Sequence, residues 1–234
     1  RGAAGTVLVV GSTGNIGGAI VRRLRALRSV TVVEANRSGT SGAVKLDIAS
    51  DESVKTLDAS LPEGVDHIVV CCGASSFGPL ESFEKGKWEA SCSGKFLAIS
   101  KLIVMLANGK ELRCLRDGGS ITVTTGQSAK TVNRMWPGLA ANNAGLEAFV
   151  RCVGAGTADA RPRGIRVNAV SPALVRESAE KAGLPLQGTV PADEAAAKYI
   201  PLIFGAASGE VVEAGSQTVF TKSHQRPASP SKAP

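Results

Sequence analysis

An apolar run, Thr6–Val10 (TVLVV), passes straight into GSTGNIGG, and this junction limits the fold more tightly than any other segment. Beyond the glycines, Ile16, Ile20, Leu24 and Leu27 recur every three or four residues, the spacing of an amphipathic helix. A second β-branched run, Val30–Val33, follows at once. Strand, turn, helix and strand make a βαβ unit, whose parallel strands need cover on both faces. Gly11 and Gly14 are expected to let the chain reverse sharply, and Gly17 to let the helix approach the strand closely. The turn Gly11, Thr13, Gly14, Asn15, Ile16 and Gly17 would then cradle a pyrophosphate, with backbone N–H groups near Asn15 and Ile16 at the positive end of the helix.

The alternation continues along the chain. Strands are predicted over Ala43–Ile48, His67–Cys72, Ser120–Thr124, Ile165–Val170 and Val211–Phe220, with Ser171–Pro172 stopping the fourth of these. Between them, helical spacing appears at Asp51, Val54, Leu57 and Leu61. It returns at Trp88, Cys92, Phe96, Ile99 and Ile103, and then at Leu139, Leu146, Phe149, Val150 and Val153. The segment 177–190 reads as loose chain and 192–204 as a helix. The pattern predicts an α/β fold, a doubly wound parallel sheet of about seven strands in a single Rossmann-type domain over residues 1–220. Residues 221–234 form a basic tail rich in Pro and Ser, predicted to be disordered.

Composition narrows the partners. With 43% apolar and 20% charged residues among 234, the chain reads as soluble and globular and can bury a substantial core. The net charge is +7, but three of those charges lie after Phe220, and no basic stripe carries interleaved aromatics, which argues against nucleic acid. Arg22, Arg23, Arg25 and Arg28 read as a solvated helix face. The five cysteines form no C-x-x-C pair and have no neighbouring histidines, so reduced thiols in a cytoplasmic, reducing setting are expected, with no metal site. No signal segment is visible, and the run near Leu102–Leu106 is short and flanked by lysines, so no membrane association is expected.

The end of the second strand, VVEANRSG, bears on which dinucleotide fits. A carboxylate at the tip would hold ribose hydroxyls, whereas an arginine would take a 2′-phosphate. Glu34 lies inside the run, Asn36 occupies the tip, and Arg37 and Ser38 follow. A guanidinium fork with an adjacent hydroxyl favours NADP(H) over NAD(H). Asp47, in LDI, is placed to contact the adenine edge.

The motifs GSTGNIG (Gly11–Gly17), LDI (Leu46–Ile48), CGA (Cys72–Ala74), SCSG (Ser91–Gly94), GSITVTTG (Gly119–Gly126), NNAGLEAF (Asn142–Phe149) and IRVNAVSPA (Ile165–Ala173) together resemble the short-chain dehydrogenase/reductase family. The resemblance covers roughly Thr6 to Phe220, and the family is usually dimeric or tetrameric. It implies a nicotinamide cofactor, a small carbonyl or alcohol substrate, and a homodimer or homotetramer. It also implies that Cys72, Gly73 and Ala74 line the cofactor where the family has NAG. Pro172 and Ala173 would lie beside the nicotinamide where the family has PG.

The family's catalytic group is a serine, a tyrosine about 13 residues later and a lysine four residues beyond that. Tyrosine exchanges the proton with the substrate oxygen, lysine lowers its pKa and holds the nicotinamide ribose, and serine orients the carbonyl. Counting from Gly126 gives Leu139 and Asn143, and counting from Thr125 gives Gly138 and Asn142. Neither register holds a tyrosine or a lysine, and Ser91 stands where the family has a further asparagine. Thr125 is the hydroxyl left in place, and Asn142 or Asn143 could hold the ribose, so Thr125 and Asn143 are the candidate catalytic residues. Lys130 and Arg134 in the following loop could polarise a carbonyl, and Tyr199 reads as a packing residue. Two outcomes stay open. One is an NADP(H)-dependent oxidoreductase with an altered proton source, such as water held by Thr125 and a loop residue; the other is a catalytically silent NADP(H)-binding sensor or partner subunit.

Overall fold

The strand that precedes the glycines is central because nothing along its second half can face water. In the computed structural model, β1 (Gly5–Val10) has Val7, Leu8, Val9 and Val10 all buried. Val7 and Val9 point into one apolar cluster and Leu8 and Val10 into the other, as the two-residue period of a strand requires. A register slip of one residue would exchange the two sets between clusters of different shape, so the pairing is strongly specified. The structure describes residues 5–73, 78–79, 81, 84–131 and 133–216.

The other strands are β2 (Val30–Asn36), β3 (Val44–Lys45), β4 (Val65–Val70), β5 (Leu115–Thr124), β6 (Arg166–Pro172) and β7 (Val211–Ala214). They lie in one seven-stranded sheet of order β3-β2-β1-β4-β5-β6-β7, parallel throughout. The doubly wound Rossmann-type sheet expected from the sequence is therefore present. Its strand order reverses between β1 and β4, and a ligand crevice belongs at the carboxyl ends of those two strands.

Helices cover both faces. On one, α1 (Asn15–Arg25), α8 (Ala192–Ala197) and α9 (Tyr199–Phe204) pack Ile20, Leu24, Ala195, Tyr199 and Ile203 against Val7, Val9 and Val69. On the other, α5 (Ala98–Asn108) and α6 (Pro137–Gly154) bring Ile99, Leu102, Ile103, Leu106, Leu146 and Val150 against Leu8, Val10, Ile68 and Val70. Each such fully buried aliphatic side chain contributes about 1.5–3 kcal/mol relative to exposure. The short α2 (Asp51–Lys55) and α3 (Leu57–Ser60) follow β3; α2 starts at Ser50, whose hydroxyl accepts the Ser53 amide. The continuous helical stretch Gly86–Asn108 is long and apolar enough to cross a bilayer by length and composition alone, but about half of it is buried inside the fold. Ile99, Leu102, Ile103 and Leu106 on this stretch face the sheet, while Trp88, Leu97 and Val104 are exposed.

Several boundaries differ from the sequence pattern. The third strand shrinks to Val44–Lys45, because from Asp47 onward the chain bonds to Ser53 instead of to β2. The strand expected at His67–Cys72 starts and ends two residues earlier, at Val65–Val70. β5 begins five residues before its apolar run, with Arg116, Asp117 and Gly118 exposed. β6 runs through Ser171 to Pro172, since proline's missing N–H falls on the strand's last residue. The helix expected over 192–204 is broken at Lys198, because Pro201 has no N–H for the carbonyl of Ala197. The loose segment 177–190 begins inside a helix, α7 (Arg176–Lys181), which the Glu177 carboxylate ties to the Ala192 amide. The predicted strand end at 217–220 and the tail 221–234 lie outside the described residues. Arg23 and Arg25 do not stand free on the helix face, but pair with Asp193 and Glu34.

His67 sits half-buried between β5 and α9. Ser120 Oγ donates to the Ile203 carbonyl, so the 2.8 Å contact between His67 Nδ1 and Ser120 Oγ carries the imidazole's own hydrogen. The ring meets Phe204 edge-on at 5.2 Å. Burial first, and then the nearby Arg166, push its pKa from 6.5 down to about 4. The unfolded chain thus binds more protons between these values, and stability falls as pH drops from about 6.5 to about 4. H67Q should remove that part of the acid loss, up to about 2 kcal/mol after allowing for the ring's partial exposure. Denaturant titrations of both proteins at pH 7 and 4 check this; equal pH dependence would contradict it.

Candidate functional site

The glycine turn joins β1 to α1 through a backbone contact that tolerates no side chain. A Cβ on Gly17 would lie 2.1 Å from the Gly11 carbonyl oxygen. Gly11 has φ +85, and its amide bonds to the Ala35 carbonyl at 2.9 Å, locking the turn against β2. Gly14 differs from expectation. It is the helix N-cap in ordinary extended backbone (φ −75, ψ 166), so the reversal needs left-handed geometry only at Gly11. The first helical turn carries no acid. Among the described residues the amides of Asn15, Ile16 and Gly17 have no backbone acceptor. Ser12 Oγ beside them is buried and unpartnered. Open amide donors at the positive helix end, in a turn packed too closely for a Cβ at Gly17, suit a phosphate group.

Two cavities, each of about 320 Å³, flank this turn and share Gly73. The first is lined by Gly11, Thr13, Gly14, Arg37, Asp47 and Cys72, among others. Arg37 stands at the tip of β2 just after Asn36, as the sequence suggests, while Glu34 lies inside the strand and pairs with Arg25. Ser38 does not line this cavity: its hydroxyl donates to Asn36 Oδ1 at 3.0 Å and meets Thr40 Oγ1 at 3.1 Å, closing the turn after β2. The phosphate contact expected of Ser38 is thus replaced by an internal one. One Asp47 oxygen accepts the Ala49 amide at 3.0 Å. Burial, with Asp47 nearby, pushes the Cys72 thiol up to about 11, and burial pushes Cys71 up to about 12, so both read as inert packing groups.

The second cavity is lined by Ile16, Lys95, Thr125, Gly126, Leu139, Asn143, Pro172 and Ala173 among others. Of the two possible registers, the one counted from Gly126 brings all three of its positions, Gly126, Leu139 and Asn143, onto this cavity. Asn142 instead donates to Ser91 Oγ and to the Ser91 carbonyl, tying α6 to α4 (Lys85–Ser91). Asn143 Nδ2 donates to Ser128 Oγ at 2.8 Å, while its Oδ1 is buried without a partner. The amide also fills the space beside Gly126, where a Cβ would lie 2.8 Å from Nδ2.

Thr125 lines the cavity, but its hydroxyl hydrogen is engaged by Glu147 Oε1 and the Val170 carbonyl, both at 3.3 Å. The substrate-orienting role expected of it is therefore not what its bonds serve. Glu147 also accepts from Ser171 Oγ and pairs with Arg151, so this buried carboxylate is fully engaged. Lys130 and Arg134 are likewise drawn off, to Glu213 and Glu81. Tyr199 is fully buried, with its hydroxyl 2.6 Å from Thr124 Oγ1 and its pKa raised by burial, in keeping with packing. Asn15 reaches across to Ser178 on α7, whose neighbours Leu174 and Val175 wall the cavity. Ala74 lies outside the described residues, which contain no cluster of metal-ligating side chains.

Lys95 is the residue that sequence reasoning missed. It lies in a π-helical turn, Cys92–Leu97, between α4 and α5, and its side chain is only 8% exposed. A signal was present: Lys95 keeps helical spacing with Ile99, Leu102 and Leu106, on the face that the sheet buries.

The family model described as enoyl-(acyl carrier protein) reductase matches residues 19–217. The protein lin1944 from Listeria innocua is 31% identical, with a TM-score of 0.76 over 90% of this chain and 99% of that one. A small-chain dehydrogenase in complex with NADPH is 25% identical, with a TM-score of 0.72 over 90% of this chain and 96% of its own. A short chain dehydrogenase from Mycobacterium smegmatis, 23% identical with a TM-score of 0.72 over 93% and 97%, shares the fold. No curated protein matches the chain.

The contact at Gly17 is directly testable. G17A drives a methyl into the Gly11 carbonyl and should cost about 1–3 kcal/mol. In G18A the new Cβ would meet its nearest neighbour at 3.4 Å. Replacing a mid-helix glycine there should leave stability unchanged or improve it by about 1 kcal/mol. Urea unfolding of the two variants checks the contrast, and equal midpoints would contradict the close approach.

Proposed function

Because the chain belongs to the short-chain dehydrogenase/reductase family, we propose that it is an NADP(H)-dependent oxidoreductase. It would move a hydride between a nicotinamide and a small carbonyl or alcohol, with a proton path other than the family's tyrosine and lysine. The observation that carries this reading is Arg37, exposed at the tip of β2 on the first cavity, with no acid partner among the described residues. A free guanidinium fork beside a phosphate-cradling turn suits a 2′-phosphate. The NADPH bound by the small-chain dehydrogenase relative supports the same preference.

The residues present suit the dinucleotide along both cavities. The glycine turn would hold the pyrophosphate, Arg37 the 2′-phosphate and Asp47 the adenine edge. Cys72 and Gly73 would line its middle, and Pro172 with Ala173 its nicotinamide end. When bound, the dinucleotide supplies or accepts the hydride. The chain's own part is to exclude water and to set the acceptor carbon against it. On the register counted from Gly126, the phenol's position would hold Leu139 and the lysine's Asn143, and an amide does not replace a phenol as proton donor. The active form is taken to be a cytoplasmic homodimer or homotetramer.

Leu139 favours one second reading, a catalytically silent NADP(H)-binding sensor or partner subunit, because an apolar side chain there leaves the substrate oxygen without a proton donor. Fluorescence titration should give NADPH at least about tenfold tighter binding than NADH, with R37A bringing the two to near equality. Equal affinities in the parent protein would overturn the preference. NADPH consumption is then measured with ketones, diones, quinones and enoyl thioesters. Turnover with any of them supports the oxidoreductase, while a verified complex that turns over none supports the silent binder.

A further inference from the structure

Lys95 and Asn143 approach one cavity from different helices, and neither has its polar head satisfied. Among the described residues that line the second cavity, Lys95 is the one ionisable side chain. It is more than nine-tenths buried and has no carboxylate partner, and the nearest titratable neighbour acting on it is the neutral Cys72 thiol. Its stem packs over the end of β4, where a Cβ on Gly73 would meet Lys95 Cγ at 3.1 Å. Across the cavity, Asn143 Oδ1 is buried with nothing to accept from, although its Nδ2 is fixed by Ser128. The orphaned carbonyl oxygen is costly where it lies, the ammonium has no carboxylate partner among the described residues, and the two do not bond to each other.

The pair is complementary to one kind of ligand group. Lysine offers donors only, and the free Asn143 oxygen accepts only, so whatever lies between must both accept and donate. A hydroxyl does both, and two adjacent hydroxyls can face both residues at once. The helix supports the placement, since π-helical turns occur often at functional sites. Here the turn delivers a lysine from the α4–α5 stretch to a cavity whose α6 wall carries none.

Resting on the dinucleotide reading above, we propose that Lys95 and Asn143 together hold the hydroxyl pair of the nicotinamide-side ribose. Lys95 is thus a positioning residue that reaches the cofactor from a helix other than α6. Binding through an ammonium requires the lysine to be charged. Burial pushes its pKa from 10.5 down to about 8. Other charged or titratable groups face it from the neighbouring elements. Cys72 stays protonated to about 11, Asp47 and Arg37 lie beyond it in the first cavity, and Glu147 on α6 is paired with Arg151.

The test is NADPH affinity from about pH 7 to about 9.5 for the parent protein, K95M, K95R and R37A, followed by fluorescence. The parent's affinity should fall as pH rises through about 8, and K95M should bind about tenfold more weakly at pH 7 with a flat profile. K95R stays charged and should bind without the fall, while R37A should bind weakly yet keep it. A readout free of cofactor accompanies this. The unfolded chain holds Lys95's proton up to about 10.5, so the stability of the ligand-free protein should rise between about pH 8 and 10.5, and K95M should abolish that rise. K95M should also unfold no earlier than the parent, because it removes an unpaired buried cation. K95M with the parent's affinity and pH profile would overturn the role of Lys95 while leaving the dinucleotide reading intact. A parent protein that binds no NADPH at any pH would overturn both.

Discussion

The close approach of Gly17 to the Gly11 carbonyl is the contact on which the rest of the structure depends. It lets α1 begin directly over the end of β1, which aims the open amides of the first helical turn into the crevice where the strand order reverses. The same contact fixes how α1 lies on the sheet, so Ile20 and Leu24 meet Val7 and Val9. One backbone contact without room for a methyl thus sets both the helix–sheet packing and the phosphate cradle. Gly11 in this contact is left-handed, whereas Gly14 adopts backbone geometry open to other residues.

The distribution of satisfied and unsatisfied polar groups separates the structural part of this cleft from the part that faces a ligand. Glu147, buried on α6, is surrounded by Thr125, Ser171 and Arg151, and Asn142 is bonded to Ser91. These groups brace α6 against β5, β6 and α4. Asn143 Oδ1 lies on the second cavity with no such partner, and Lys95 on the same cavity has no carboxylate partner among the described residues. A buried polar group left alone costs about 1–3 kcal/mol, so the free Asn143 oxygen beside Lys95 suits a ligand that completes both. Ser100 and Thr122 also carry unpartnered hydroxyls, and nothing in the structure explains them.

The sheet and its order of elements were legible because short continuous apolar runs such as Val7–Val10, buried on both faces, are separated by segments with three- to four-residue apolar spacing such as α1. The phosphate turn was legible for the same reason, since its glycines sit between a strand and a helix. The ends of elements were less so. Pro201 breaks a helix that its apolar spacing continues, and α7 is a short polar helix, held through Glu177, that shows no periodic apolar face. Within the site, residue type was readable but direction was not. Thr125 and Ser38 carry hydroxyls at the expected positions, yet Glu147 on α6 takes the hydrogen of the first and Asn36 in the same turn that of the second. Lys95 is the converse case. Its charge masked a core-facing position, and the π-helical turn that sets its direction leaves no mark in the apolar spacing.

The central claim is that a dinucleotide lies along both cavities, held by the glycine turn at one end and by Lys95 with Asn143 at the other. A crystal structure of the protein grown with NADPH tests it most directly. The account predicts the pyrophosphate over Gly14–Ile16, the 2′-phosphate at Arg37, and Lys95 Nζ and Asn143 Oδ1 each within about 3.2 Å of a hydroxyl on the nicotinamide ribose. A bound NADPH with Lys95 turned away from that ribose, or a cleft that stays without dinucleotide at saturating NADPH, would contradict it.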